Sequence, residues 1–106
     1  DRDRFHRRGI VMDHLTQAQD LLADVKMNLR IDGNDDDQNL TQMLIRSMSR
    51  LDDLAGQGVV YTQDEFAKEL LFNRVRYDYN SALEYWDDNF AEPILAFTLR
   101  YGVDNL

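Results

Sequence analysis

The stretch VKMNLRIDGNDDDQNLTQMLI, residues 25–45, decides how this chain folds. A helical pattern runs into Leu29, Arg30, Ile31 and Asp32, halts at Gly33, crosses Asp35, Asp36 and Asp37, and resumes as a second helix. Gly33 and Asn34 tolerate positive φ, so the chain turns there. Aspartates ahead of an apolar run accept hydrogen bonds from the unpaired amides of a first helical turn and sit well against the positive end of the helix dipole. The segment therefore reads as helix, acidic corner, helix.

Periodicity extends this reading in both directions. Upstream, Leu15, Ala18, Leu22, Val25 and Leu29 recur at three-four spacing and predict one helix from about Thr16 to Leu29. Downstream, Leu40, Met43, Leu44, Met48, Leu51 and Leu54 predict a second helix, ended by Gly56 and Gly58, with residues 58–61 as an extended connector. Thr62 opens TQDE, a capping box with Thr62 as N-cap and Glu65 at the third helical position. Beyond it Ala67, Leu71, Val75, Tyr79, Ala82 and Trp86 form one stripe, and Phe66, Leu70 and Tyr77 a second. No glycine or proline interrupts residues 59–92, so the pattern predicts a long third helix to about Asp88, bent near Asn80 and Ser81. A helix apolar on two sides needs two neighbours, one of which can be another subunit. Pro93 and Gly102 bracket a short fourth helix, about Glu92 to Tyr101, and leave residues 102–106 as a tail, free or docked on a partner. The expected fold is all-α: a small irregular bundle of about four helices with a long central one.

At 106 residues, 43% of them hydrophobic, the chain has room for one domain with a modest core. It has no cysteine, which excludes disulfides and thiolate zinc sites. No apolar run approaches the roughly 20 residues of a membrane span. Net charge is −8, but residues 1–11, DRDRFHRRGIV, carry four arginines against two aspartates. Taking these from totals of 12 basic and 20 acidic side chains leaves eight and eighteen for residues 12–106, a balance of −10. Met12 opens MDHLTQAQ and reads as a natural start, so residues 1–11 are expected to be an upstream or expression-derived extension and residues 12–106 the single domain. The competing expectation is a basic arm that contacts nucleic acid, a weak patch signal on a chain whose acidic surface repels a DNA backbone.

The corner invites a calcium reading, because Asp32, Asn34 and Asp36 fall at positions one, three and five of an EF-hand loop. Position six is then Asp37 in place of the turning glycine, and position twelve is Met43 in place of a bidentate glutamate. An acidic helix start explains the run better. The two histidines, His6 and His14, supply no zinc cluster, and the same shortage of a general base disfavours a hydrolytic triad. Glu84 and Asp88, one turn apart on the expected helix, read as a solvated face rather than an acid-base pair. No cofactor or metal is expected, nor an enzyme. In NRVRYDYNSALEYW, residues 73–86, Arg74, Arg76, Tyr77, Tyr79, Tyr85 and Trp86 crowd one helix, residue types favoured where protein surfaces desolvate. Asp78, Glu84, Asp87 and Asp88 interleave with them and favour protein over phosphate contacts. Tyr79 and Trp86 are equally readable as core.

The order helix, Leu29-Arg30-Ile31-Asp32, acidic turn Asp35 to Asp37, second helix, glycine-ended connector and long helix with Arg76-Tyr77-Asp78-Tyr79-Asn80 resembles the head-tail connector proteins of long-tailed double-stranded DNA phages, also described as head-completion or DNA-packaging proteins. The resemblance spans about Leu15 to Tyr101; residues 1–11 match nothing in it. It implies a non-catalytic structural virion subunit that forms a dodecameric ring beneath the portal after packaging, extends the DNA channel and joins head to tail. Its implied partners are further copies of itself, the portal protein and a downstream head-completion or tail protein. Genomic DNA would pass without sequence-specific binding, and the protein would reside at the head-tail junction after assembly in the host cytoplasm. Arg74, Arg76, Tyr77, Tyr85 and the tail Gly102, Val103, Asp104, Asn105 and Leu106 are then the expected subunit or portal contacts. The alternative from another class is a small acidic helical adaptor or regulator that binds one protein partner.

Overall fold

The computed structural model describes residues 13–104, and only the backbone of Val103 and Asp104. Residues 1–12 and the tail positions Asn105 and Leu106 lie outside the described residues. Helix α1, His14–Leu29, begins two residues before the predicted start because Asp13 caps it, its carboxylate accepting from the Thr16 amide at 2.8 Å. Helix α2, Asp37–Ala55, follows the acidic corner. Its N-cap is Asp36, whose side chain makes no capping bond.

Helix α3 spans Glu65–Tyr79, so the expected capping box is corrected: the N-cap is Asp64, which accepts from the Ala67 amide at 3.1 Å. Thr62 is instead part of a turn in which the amides of Gln63 and Asp64 both donate to the Val60 carbonyl at 3.1 Å. The long third helix is also corrected. Ser81 takes φ 57°, and the amides of Ser81 and Ala82 turn back to the carbonyls of Asp78 and Tyr77, ending α3 in a Schellman motif. Asparagine and serine side chains compete with helical backbone bonding, which places the break at Asn80 and Ser81. A 3-10 turn, Leu83–Tyr85, and a short helix α4, Trp86–Asn89, follow. The last helix, α5, Ala91–Asp104, runs through Gly102 rather than stopping before it. Pro93 fits in its first turn, where the amide has no helical acceptor anyway. Among the described residues there are thus five α-helices, against about four expected, and no strand.

Helix α2 is the centre, with α1, α3 and α5 packed around it. Its Leu40, Leu44, Met48 and Leu51 are fully buried and meet Ala18, Leu21 and Val25 of α1 and Ala67, Leu70, Leu71 and Val75 of α3. Val59 and Tyr61 of the connector, Trp86 of α4 and Phe97 of α5 close the core. The α1 stripe is shifted from its predicted register: Leu15 is 50% exposed, while Leu21 and the polar Gln17 turn inward. Gln17 is tolerated there because its side-chain carbonyl accepts from the Tyr61 amide at 2.7 Å and its amide donates to the Val59 carbonyl. No described helix is long and apolar enough to cross a membrane.

Candidate functional site

The acidic corner is built by hydrogen bonding. Arg30 takes φ 59°, and its amide and that of Ile31 return to the carbonyls of Met27 and Lys26, so α1 ends in a Schellman motif without a glycine. Gly33 supplies the second left-handed residue, φ 80°. Ile31 tucks against the core, and Lys26 ties the two helices by pairing with Asp37 at 2.8 Å and donating to Asn34 Oδ1 at 2.9 Å. Asp36 accepts from the Tyr79 hydroxyl at 3.1 Å, which fastens the corner to the end of α3. Leu29 is half-buried, and Asp32 and Asp35 face solvent. Lys26, Ile31, Asp36 and Asp37 hold the corner mechanically, and among the described residues no group of three His, Cys, Asp or Glu could hold a metal ion.

The expected contact residues do not share one face: Arg74 and Arg76, two positions apart, point to different sides of α3, and the end of α3 at Tyr79 takes Tyr85 off that helix. Arg74 is half-buried: its Nη1 donates to Ser47 Oγ at 3.0 Å and its guanidinium lies 5.2 Å from the Trp86 ring centre. Burial holds its pKa below the ordinary arginine value; Asp78 and Asp87 oppose that shift, and Arg50 and Arg46 add to it. Arg76 projects the other way and donates to Asn28 Oδ1 at 2.7 Å, bordering an open groove of about 690 Å³ between α1 and α3 with Met27 and Phe72 in its lining. Tyr77 packs edge-on against Phe90, centroids 5.4 Å apart, and its hydroxyl accepts from Asn89. Tyr85 is 60% exposed, whereas Trp86 is 1% exposed and belongs to the core. Glu84 and Asp88, expected one turn apart, are divided between the 3-10 turn and α4. Gly102 is half-buried inside α5.

Sequence reasoning missed a polar cluster at the other end of α2. His14 Nε2 donates to Asp52 Oδ2 at 2.7 Å, and Ser49 Oγ lies 3.4 Å from His14 Nδ1. Asp52 Oδ1 also accepts from the Tyr61 hydroxyl at 2.7 Å and the Val59 amide at 3.2 Å. The hydrogen bond to Asp52 raises the His14 pKa against the effect of partial burial, and the charges of Asp52 and Asp13 push the same way. Burial and the Asp52 carboxylate raise that of Tyr61. Ser49, His14 and Asp52 are the residue types of a hydrolytic triad, a grouping not expected from the sequence. Ser49 sits inside α2, where backbone amides are committed to helical bonds and none converges on an oxyanion, so the cluster has the geometry of a clamp between α1, α2 and the connector.

An exposed apolar ridge runs along α5. Ala91, Leu95 and Leu99 follow one another at four-residue spacing with Ala96 beside them, all exposed, the two leucines at 58%. Comparison of the chain with protein-family models, curated proteins and solved structures finds no match.

Proposed function

We propose that this chain is a structural subunit of a phage head-tail connector, which assembles as a ring under the portal after DNA packaging and joins head to tail. The reading is supported by the Leu29 to Asp37 corner, which Lys26, Asp36, Asp37 and Tyr79 brace, and by the all-α build around α2. The observation that carries the assembly part is the ridge of Ala91, Leu95 and Leu99: the core is already closed by Phe97 on the opposite side of α5, so these side chains are left for another protein surface. Ring formation gives them a use, since a closed ring hides such surface on every copy. On this reading the protein has no catalytic task; its partners are its own copies, the portal and a downstream completion or tail protein; and its place is the virion's head-tail junction. The net charge of −8 lets DNA move past without adhering. Adding the purified protein to DNA-filled, tail-less heads and imaging the portal vertex tests the reading: a new ring of density below the portal supports it, and a bare portal contradicts it.

A further inference from the structure

This acidic molecule, net charge −8, gathers three arginines where α2 meets α3. Arg46 and Arg50 lie one turn apart on α2, either side of the buried Ser47, and Arg74 reaches that serine from α3. Arg74 lies against Trp86, and its Nε is buried without a hydrogen-bond partner. Two carboxylates oppose these charges: Asp78 pairs with Arg46 at 3.2 Å, and Asp87 lies near Arg74. Arg50 is exposed and has no ion-pair partner among the described residues. One positive charge is therefore uncompensated, in a setting where like charges already repel. Tyr85, next to Trp86 in the chain, is 60% exposed, and tyrosine and arginine are among the residue types enriched at interface anchors.

The complementary charge is at the corner. Of its aspartates, Asp36 is engaged by Tyr79 and Asp37 by Lys26, while Asp32 and Asp35 are exposed with no ion-pair partner among the described residues. The chain does not satisfy its own arginines with them, because Arg46 lies nine positions into α2 from Asp37, about 14 Å along the helix, with Asp32 and Asp35 in the turn before it. We propose that the Arg46, Arg50 and Arg74 cluster is an interaction surface that receives the Asp32 and Asp35 carboxylates of a second copy of this chain. The contact joins two different surfaces head to tail, the kind of interface that generates rings, and it rests on the connector reading in that the ring is where the copies meet. Arginine's planar fork matches a carboxylate with two parallel hydrogen bonds. Discrete carboxylates suit the site better than a DNA backbone, whose successive phosphates would run against Asp78 and Asp87.

The test compares the full chain with R46E/R50E, with R50E alone, which keeps the Arg46–Asp78 pair, with D32R/D35R and with the chain carrying R46E/R50E and D32R/D35R together; the altered side chains are exposed, and an unfolding midpoint for each variant separates loss of assembly from loss of folding. Copies bound to DNA-filled heads and the mass of the free protein at high concentration are measured for each. Either pair alone is expected to lower assembly at least tenfold, and the fourfold swap to restore it. Wild-type-like assembly by R46E/R50E, or no rescue by the swap, overturns the contact while leaving the connector reading intact. A wild-type chain that neither binds heads nor self-associates overturns both. Salt-dependent binding to double-stranded DNA that R46E/R50E loses would assign the cluster to phosphate and overturn the carboxylate partner.

Discussion

The imidazole of His14 and the carboxylate of Asp52 lie 2.7 Å apart and join the first turn of α1 to the last turns of α2. Because this bond raises the His14 pKa above 6.5, the folded state holds the proton more tightly than the unfolded chain. The resulting stability is fully present below about pH 6.5 and is lost as pH rises through the raised folded value. Urea midpoints measured from pH 6 upward should fall for the native chain, with a flatter profile for His14→Gln. Parallel profiles would show that His14 is not the group responsible.

Gln17→Leu makes the interior more apolar and should still destabilise it. The substitution strands the Tyr61 amide and the Val59 carbonyl, both buried, and should cost about 1–3 kcal/mol for an unsatisfied buried group. Chemical unfolding measures this. A more stable variant would mean that the connector finds other partners.

Trp86→Ala should cost about 3–5 kcal/mol, since the ring is buried and supports both Arg74 and Phe90, the latter stacked at 6.3 Å between centroids. An unchanged unfolding midpoint would refute its place in the core.

Much of this architecture is legible in the sequence because it rests on local signals. The apolar spacing of Leu40, Leu44, Met48 and Leu51 and the glycine at position 56, φ 74°, mark α2 and its end without tertiary information. The corner is legible for the same reason. Arg30 and Ser81 also take left-handed conformations, and neither carries the glycine that would announce it, so the sequence pattern runs past the true end of α3. Register in α1 is chosen by the crossing with α2 and by Gln17 bonding to the connector, which moves Leu15 outward despite its place on the stripe. His14 and Asp52 are 38 residues apart, and no spacing rule joins them until α1 and α2 pack. The apolar and aromatic spacing of residues 73–86 fits one continuous helix, and the break at Ser81 separates Tyr85 and Trp86 from the others.

The backbone at Arg30 supplies a further prediction. A non-glycine residue in the left-handed region carries a strain of about 1 kcal/mol, partly offset by the greater freedom that glycine has in the unfolded chain. Arg30→Gly should therefore be neutral or stabilising by up to about 1 kcal/mol, and Arg30→Val clearly destabilising, in thermal unfolding. A marked loss of stability in the glycine variant would show that the arginine side chain, rather than its backbone, holds the corner.

The central claim is that copies of this chain build a ring on the portal, and counting them tests it most directly. Labelled protein is titrated onto DNA-filled heads, and bound copies per head are counted. The connector account predicts saturation near a dozen copies at a single vertex, in line with the ring expected from the family resemblance. No binding to heads, with a stable monomer or dimer in solution, would contradict it and favour a small acidic adaptor that serves one protein partner.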